Sequence, residues 1–263
     1  MNNLLIEIKM KLLFPFLLFV PFCLFAQKDT TQQKQFSLEI GANLITLPIG
    51  LFASTNNNGG FAKKDFNSVT LSNPFVFIEL RYSPRKPIVT NILGLKATTI
   101  FATKISGFRI PFDEQSFDKN LMNAVPGMTI QSFADDYTSL NFMIGFYNYY
   151  NLSTKQKKFY FYDRYFLGLS NVSLPNVSTS ANGQFVSSRG SGNTTSFCYQ
   201  FGLGIKKGLD NKFSAGLGID FFSTSPVFKN IETKTNNGIT TYKDVRVPIS
   251  ILTMLSVSFG FRF

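Results

Sequence analysis

Histidine and tryptophan are missing from this 263-residue chain, and only two of its residues are cysteines. Without histidine, the chain cannot build the histidine-containing catalytic dyads and triads of hydrolases, and most zinc sites become improbable. We therefore predict no catalytic residue, no metal site and no cofactor. Cys23 lies in an N-terminal segment that we expect to be removed on export, so Cys198 has no partner for an internal disulfide.

No segment after residue 26 is long and apolar enough to form a membrane-spanning helix. The N-terminal segment carries Lys9 and Lys11, and positions 12–26 that follow are almost wholly apolar and end at Ala26. A basic start, a short apolar run and a small residue at its end predict a secretory signal peptide over residues 1–26. An uncleaved anchor is the weaker alternative, because a spanning helix needs about 20 apolar residues. Residues 27–263 are then the mature domain.

Phenylalanine, in contrast, is abundant, with 31 residues, while the mean hydropathy is only +0.07. This combination is unusual for a soluble domain and suits a protein with an apolar outer surface and a polar interior. The net charge is +11. Because an exported protein seldom meets nucleic acid, we predict outer-membrane lipid and the phosphates of lipopolysaccharide as its partners.

A strict alternation of side chains marks the last 15 positions, 249–263. Their odd-numbered residues are Ile, Thr, Leu, Val or Phe, and most of the even-numbered ones are small or polar. Such a pattern predicts a β-strand with one apolar face, and a tilted membrane-spanning strand needs about 9–11 residues. Seven further stretches are predicted as strands: 36–45, 76–82, 93–101, 140–147, 159–169, 197–206 and 213–222.

The seven connections between these strands alternate in length. Long connections fall at 48–70, 105–138, 170–194 and 224–247, and short ones at 83–87, 151–158 and 207–212. Outer-membrane barrels join their strands by short periplasmic turns and longer extracellular loops. We therefore predict an all-β fold: a closed, antiparallel, eight-stranded, up-and-down transmembrane β-barrel in the bacterial outer membrane, with four long extracellular loops. Runs rich in Asn and Gly predict mobile loops at 48–70, 170–194 and 224–247. A soluble lipocalin-like barrel would need polar residues on its outer face.

The Phe25-Ala26-Gln27 junction, the hairpin rhythm and the final strand through 255–263 resemble the single-domain outer-membrane barrels of Bacteroidetes, grouped as PorT-like or OmpA-like. The resemblance is one of pattern and implies location and architecture. It also implies that the barrel-assembly machinery reads Phe259, Phe261 and Phe263 as an assembly signal. An accessory role in secretion across the outer membrane, with an envelope protein as partner, is a further implication.

Charged residues on the face predicted to line the lumen are equally divided in sign. Buried charges need opposite partners, so we predict a salt-bridge plug, with a narrow pore for ions or small solutes as the alternative. We expect Glu39, Arg81 and Arg262 to cluster near the periplasmic strand ends. The phase of strand 159–169 stays open, because Asp163 and Arg164 fall on opposite faces; a bulge there would place both inside. The predicted lumen charges are Glu39, Glu79, Asp220, Arg81, Lys96 and Arg262.

The connection 105–138 is the longest and the best candidate for specific binding. Its aromatic residues either contact a ligand or partner at the barrel mouth or, as we favour, fold over their own barrel. Phe117 and Leu121 are one helical turn apart, a spacing that a short helix would place on one face. The candidate contacts are Phe108, Phe112, Phe117, Phe133 and Tyr137. The sequence thus predicts a structural, binding or accessory protein of the envelope, without catalysis.

Overall fold

A computed structural model describes residues 35–47, 75–92, 95–151, 159–209 and 212–263. The predicted signal peptide, the connection 48–70 and most of the turn 151–158 lie outside these residues. The described elements are β1 (Phe36–Leu47), β2 (Phe75–Tyr82), β3 (Ile88–Ile92), β4 (Leu95–Ile110), α1 (Glu114–Ala124), β5 (Ile130–Ala134), β6 (Tyr137–Asn151), β7 (Phe159–Leu174), β8 (Val177–Ala181), β9 (Gln184–Arg189), β10 (Gly192–Gly208), β11 (Phe213–Thr224), β12 (Val227–Thr235), β13 (Gly238–Arg246) and β14 (Ile249–Arg262).

Eight of these strands form a closed antiparallel barrel in the order β1-β2-β4-β6-β7-β10-β11-β14. The barrel closes because β14 pairs with β1 as well as with β11, and β2 pairs with β4. Every strand therefore has a hydrogen-bonded neighbour on both sides, as a sheet surrounded by lipid requires. The predicted fold class is confirmed.

The outer wall of the barrel is apolar, which places the protein in the bacterial outer membrane. Inward and outward side chains alternate along each strand, and the outward ones are exposed aliphatic and aromatic residues. Examples from different strands are Ile40, Ile78, Phe101, Ile144, Leu167, Leu203, Leu217 and Phe259. Phe261 and Phe263 are also exposed, at the rim where the rings of Phe36 and Tyr82 meet at 5.2 Å. Within the described ranges, the structure has no helix that is both long and apolar enough to cross a membrane.

The predicted turn at 83–87 is wrong. Both β2 and β3 pair with β4, with Tyr82 opposite Phe101 and Ile88 opposite Thr99. The two strands thus follow one another along the same edge of β4, and residues 83–87 interrupt that edge. Pro84 and Pro87 explain the interruption, because proline has no N–H to donate to a ladder. The chain therefore reverses after Ile92, which pairs with Leu95, and not at 83–87.

Three of the predicted long loops, 105–138, 170–194 and 224–247, consist largely of strands and one helix. A second, five-stranded sheet in the order β13-β12-β9-β8-β5 forms from the connections that follow β4, β7 and β11. We call it the cap sheet. At one of its turns, Asn182 and Gly183 both have positive φ, 51° and 75°, as a tight hairpin turn demands. The helix α1 confirms the helix considered around Phe117 and Leu121.

The bulge considered for strand 159–169 does not form in β7. The pairing of β7 with β6 and β10 runs without a register shift, so Asp163 and Arg164 point to opposite faces. Arg164 enters the lumen. Asp163 lies on the outer face, where its carboxylate accepts hydrogen bonds from Asn148 Nδ2 and from the Tyr150 hydroxyl, each at 2.7 Å.

Candidate functional site: the lumen and its two ends

Seven largely buried charged side chains fill the middle of the lumen, and we call them the charge network. Arg81 binds Glu39 through both terminal nitrogens, at 2.5 and 2.6 Å, and also donates to Glu79 at 2.8 and 3.1 Å. The same guanidinium group also lies within hydrogen-bond distance of the hydroxyls of Tyr147 and Tyr149, each at 2.7 Å. The members of the network are Glu39, Glu79, Arg81, Lys104, Arg164, Lys206 and Asp220.

Arg164 forms the second centre of the charge network. Its Nε (2.7 Å) and Nη2 donate to the Asp220 carboxylate, and its Nη1 donates to Glu79 at 3.3 Å. Lys104 Nζ lies 3.4 Å from Glu79 and 4.4 Å from the centre of the Phe77 ring. Glu79 therefore sits among three cations, and the Tyr147 hydroxyl donates a further bond to it.

These contacts cross the lumen rather than following its wall. Arg164 on β7 reaches Glu79 on β2, and Lys206 on β10 pairs with Glu39 on β1; each pair of strands is three places apart around the barrel. The remaining barrel strands contribute Tyr147 from β6, Lys104 from β4, Asp220 from β11 and Ser256 from β14. Side chains of all eight barrel strands thus meet in one layer, which an eight-stranded barrel is narrow enough to allow.

An apolar layer lies on the extracellular side of the charge network. Phe166, Met143 and Leu252 are buried there, and the ring of Phe108 packs edge-on against Phe222 at 5.3 Å. The lumen above the ion pairs is therefore occupied mainly by apolar side chains, with the polar Gln200 buried among them opposite Phe166 and Phe222.

The structure brings together four of the six predicted lumen charges: Glu39, Glu79, Arg81 and Asp220. Lys96 and Arg262 are outside the charge network, so the expected cluster of Glu39, Arg81 and Arg262 forms only in its first two members. Sequence reasoning missed Lys104 and Lys206, although both occupy inward positions of alternating strands, and it left Arg164 undecided.

Glycines at 202 and 204 make room for the network. A Cβ atom at Gly202 would collide with the Asp220 carboxylate and with Arg164, and one at Gly204 would collide with the Tyr162 ring. The Gly-x-Gly spacing at 202–204 therefore serves close packing inside a strand.

Below the charge network, the lumen widens into a periplasmic pocket of about 550 Å³. The end of the pocket next to the network includes Arg81 and Lys206, and Lys96 and Arg262 lie at its mouth together with Lys212. Tyr149 and Tyr160 also face this pocket. The other lining residues are Ser37, Ser83, Val89, Thr98, Ile100, Gly208, Phe213, Ser214, Gly260 and Phe261.

At the extracellular end, most of the predicted contact residues are core. Phe108 and Tyr137 are buried and stack at 6.2 Å, and Phe112 packs against Phe117 at 5.2 Å. Only Phe133 among the five candidates is mainly exposed, at 62%. The aromatic residues of this connection thus fold over their own barrel, as the favoured interpretation had it.

The acidic residues of the same connection anchor α1. Asp113 caps the helix by accepting from the Ser116 amide at 3.0 Å. Glu114 and Asp118 accept from the backbone amides of Ala134 (2.8 Å) and Ser132 (3.1 Å), which ties α1 to β5. These carboxylates are therefore used in holding the cap together.

The outward face of the cap sheet carries a row of side chains that crosses all five strands. Residues paired across an antiparallel ladder point to the same face. The pairings run from Phe133 through Ser178, Ser188 and Lys234 to Ile239. Both ends of this row are apolar and strongly exposed, Phe133 at 62% and Ile239 at 63%.

No protein-family model and no curated protein sequence matches this chain. Solved structures similar to it include Ail, the attachment invasion locus protein of Yersinia pestis, with 12% identity and a TM-score of 0.40 over 88% of this chain and 100% of that one. OprG from Pseudomonas aeruginosa has 9% identity and a TM-score of 0.40 over 89% and 99% of the two chains. A major outer membrane protein from Thermus thermophilus has 11% identity and a TM-score of 0.41 over 87% and 99%. Similarities this low support no comparison of function, and the PorT-like resemblance stays a prediction.

Proposed function

We propose that this protein is a non-conducting, non-catalytic outer-membrane barrel that binds a partner at the cell surface through its cap sheet. The observation that carries the proposal is the filling of the lumen by the charge network and the apolar layer above it. A barrel closed at this level offers solutes no path. Its function must then lie in binding at the exposed ends of the barrel.

Opening the lumen would cost several kcal/mol of free energy. Opening a path would separate ion pairs such as Arg164–Asp220 and Arg81–Glu39, whose members are almost wholly buried. Breaking a buried pair costs about 3–5 kcal/mol, and both pairs would have to part. The narrow-pore alternative would need this cost to be met for every passage.

The cap sheet favours binding because it is an ordered surface. Long loops of outer-membrane barrels extend from the membrane, and here three of them are joined by strand pairing into one sheet. Exposed apolar side chains on a rigid surface are the usual anchors of protein interfaces. Phe133 and Ile239 have this character.

The first test measures conductance in planar bilayers containing the purified protein. We expect no discrete current steps, either in the wild type or in the Lys104→Met variant, which removes one ion of the network without opening a cavity. Regular steps in the wild type would contradict the closed-lumen part of the proposal.

The second test concerns the surface. Vesicles that display the protein are applied to arrays of extracellular glycans and proteins, alongside vesicles with the variants Phe133→Asp and Ile239→Asp. We expect both substitutions to abolish the retention seen with the wild type, whereas Glu232→Gln, an exposed change on the same sheet, should retain it. Identical behaviour of all four proteins would contradict a role for this face.

A further inference from the structure

We propose that the lumen holds a monovalent inorganic anion, such as chloride, between Lys104 of the charge network and Gln200 of the apolar layer. The site is separate from the cap sheet and does not depend on the binding function proposed for that surface. It does not make the barrel a pore, because the charge network and the apolar layer close the lumen on either side of it. The anion would enter as the barrel folds and leave as it unfolds.

Charge is the first argument. The charge network contains four cations and only three carboxylates, and no other carboxylate of the described residues forms an ion pair with it. Lys206, its most exposed member, is only 14% exposed. A buried charge without a counter-charge destabilises a fold strongly. One further negative charge would balance the network.

The unbalanced positive charge is located at Lys104. The other three cations of the network each donate a hydrogen bond to a carboxylate: Arg81 and Lys206 to Glu39, and Arg164 to Asp220. The ammonium nitrogen of Lys104 lies 3.4 Å from Glu79 and 4.0 Å from Asp220, and among the described residues it has no hydrogen-bond partner. Because an ammonium group carries three N–H donors, Lys104 can bind a further acceptor.

Gln200 supplies an independent observation. Its side chain is 2% exposed, and within the described ranges neither its amide nitrogen nor its amide oxygen has a hydrogen-bond partner. Buried polar atoms are rarely left unpaired, and a bound ion or water explains many of the exceptions. Gln200 pairs across the ladder with Phe166, whose ring centre lies 5.6 Å from the Lys104 nitrogen. Both unpaired groups therefore border the same ring.

The surroundings favour an anion over a water molecule. Lys104 and the Gln200 amide nitrogen are donors, and the Phe77 ring, centred 4.4 Å from the Lys104 nitrogen, covers one side of the ammonium group. A water molecule would accept a hydrogen bond but would leave the extra positive charge in place. A halide accepts from both donors and balances that charge, whereas a phosphate would bring more than one negative charge.

The test is urea unfolding of the full barrel in vesicles of zwitterionic lipid, with chloride exchanged for the larger anion isethionate at constant ionic strength. An anion bound only by the folded barrel stabilises it, so raising chloride from about 3 to about 300 mM should raise the folding equilibrium constant about tenfold. Lys104→Met should abolish this dependence, and Gln200→Leu, which leaves every ion of the network in place, should reduce it. The matched control Lys207→Gln removes one exposed charge from the outer face of β10 and should respond to chloride like the wild type.

The position of the anion is measured on crystals of the barrel refolded in bromide. We expect an anomalous bromide peak in contact with both the Lys104 nitrogen and the Gln200 amide nitrogen. The proposal would be overturned by a wild-type stability that does not depend on chloride, or by equal chloride dependence in Lys104→Met and Lys207→Gln. Bromide found only on the surface of the barrel would overturn it as well.

Discussion

Glu79→Gln is the substitution that tests the charge network most directly. The side chain is buried, and amide and carboxylate are nearly equal in size, so the change removes charge without leaving a cavity. It leaves Arg81, Lys104 and Arg164 around a neutral group, where they now lie 2.8–3.4 Å from a carboxylate. The network would then hold four cations against two carboxylates.

Breaking a buried ion pair by removing one partner costs about 3–5 kcal/mol, because the other charge stays buried and uncompensated. We expect the free energy of unfolding to fall by this amount. Unfolding in urea is followed in lipid vesicles by far-UV circular dichroism and by the gel shift of the folded barrel, since the chain has no tryptophan to report by fluorescence.

Two further variants make the experiment decisive. The double variant Glu79→Gln/Lys104→Met removes one cation with the carboxylate and should regain at least half of the loss, because Lys104 already packs on the Phe77 ring. The exposed change Glu232→Gln should stay within about 0.5 kcal/mol of the wild type. A loss below about 1 kcal/mol for Glu79→Gln, or no recovery in the double variant, would refute the reasoning.

Three other predictions concern packing. Phe108→Ala should lower the free energy of unfolding by about 3–5 kcal/mol, as expected for a buried ring, whereas Phe133→Ala should change it by less than about 0.5 kcal/mol; equal effects would place both rings in the same environment. Gly202→Val should reduce the yield of folded barrel on the gel-shift assay, because its Cβ would meet Asp220 and Arg164, and a normal yield would contradict that packing. Cys198 is buried, so a maleimide should label it in urea but not in the folded protein lacking residues 1–26; rapid labelling of the folded form would show the wall to be open.

Part of the fold could be read from the sequence because lipid imposes a simple rule. Every spanning strand must turn apolar residues outward, and side chains alternate with a period of two. Eight alternating stretches therefore predicted eight barrel strands, and the alternation placed Glu39, Glu79, Arg81 and Asp220 on the inner face. Adjacent Asp163 and Arg164 obscured the phase of β7, which is why Arg164 was left undecided.

One turn of the cap sheet was recognisable in the sequence, but the amino-acid composition around it is typical of a loop. Asn182-Gly183 is a typical two-residue hairpin turn, yet the surrounding Ser, Thr and Asn residues are also typical of loops. What distinguishes strand from loop there is pairing between connections that are distant in the chain, such as Ser132 with Thr179. Such pairing depends on how the barrel holds the ends of these connections.

By itself, the sequence determined the class of fold, the number of barrel strands and the face that each alternating residue occupies, because these follow from local periodicity and from the apolar surroundings. Only the tertiary structure decided which inward residues meet. Contacts such as Arg164–Glu79 and Lys206–Glu39 cross the lumen between strands that are not neighbours, and the stagger of the closed sheet sets their heights. The same closure separated Lys96 and Arg262 from the charge network and left them at the mouth of the periplasmic pocket.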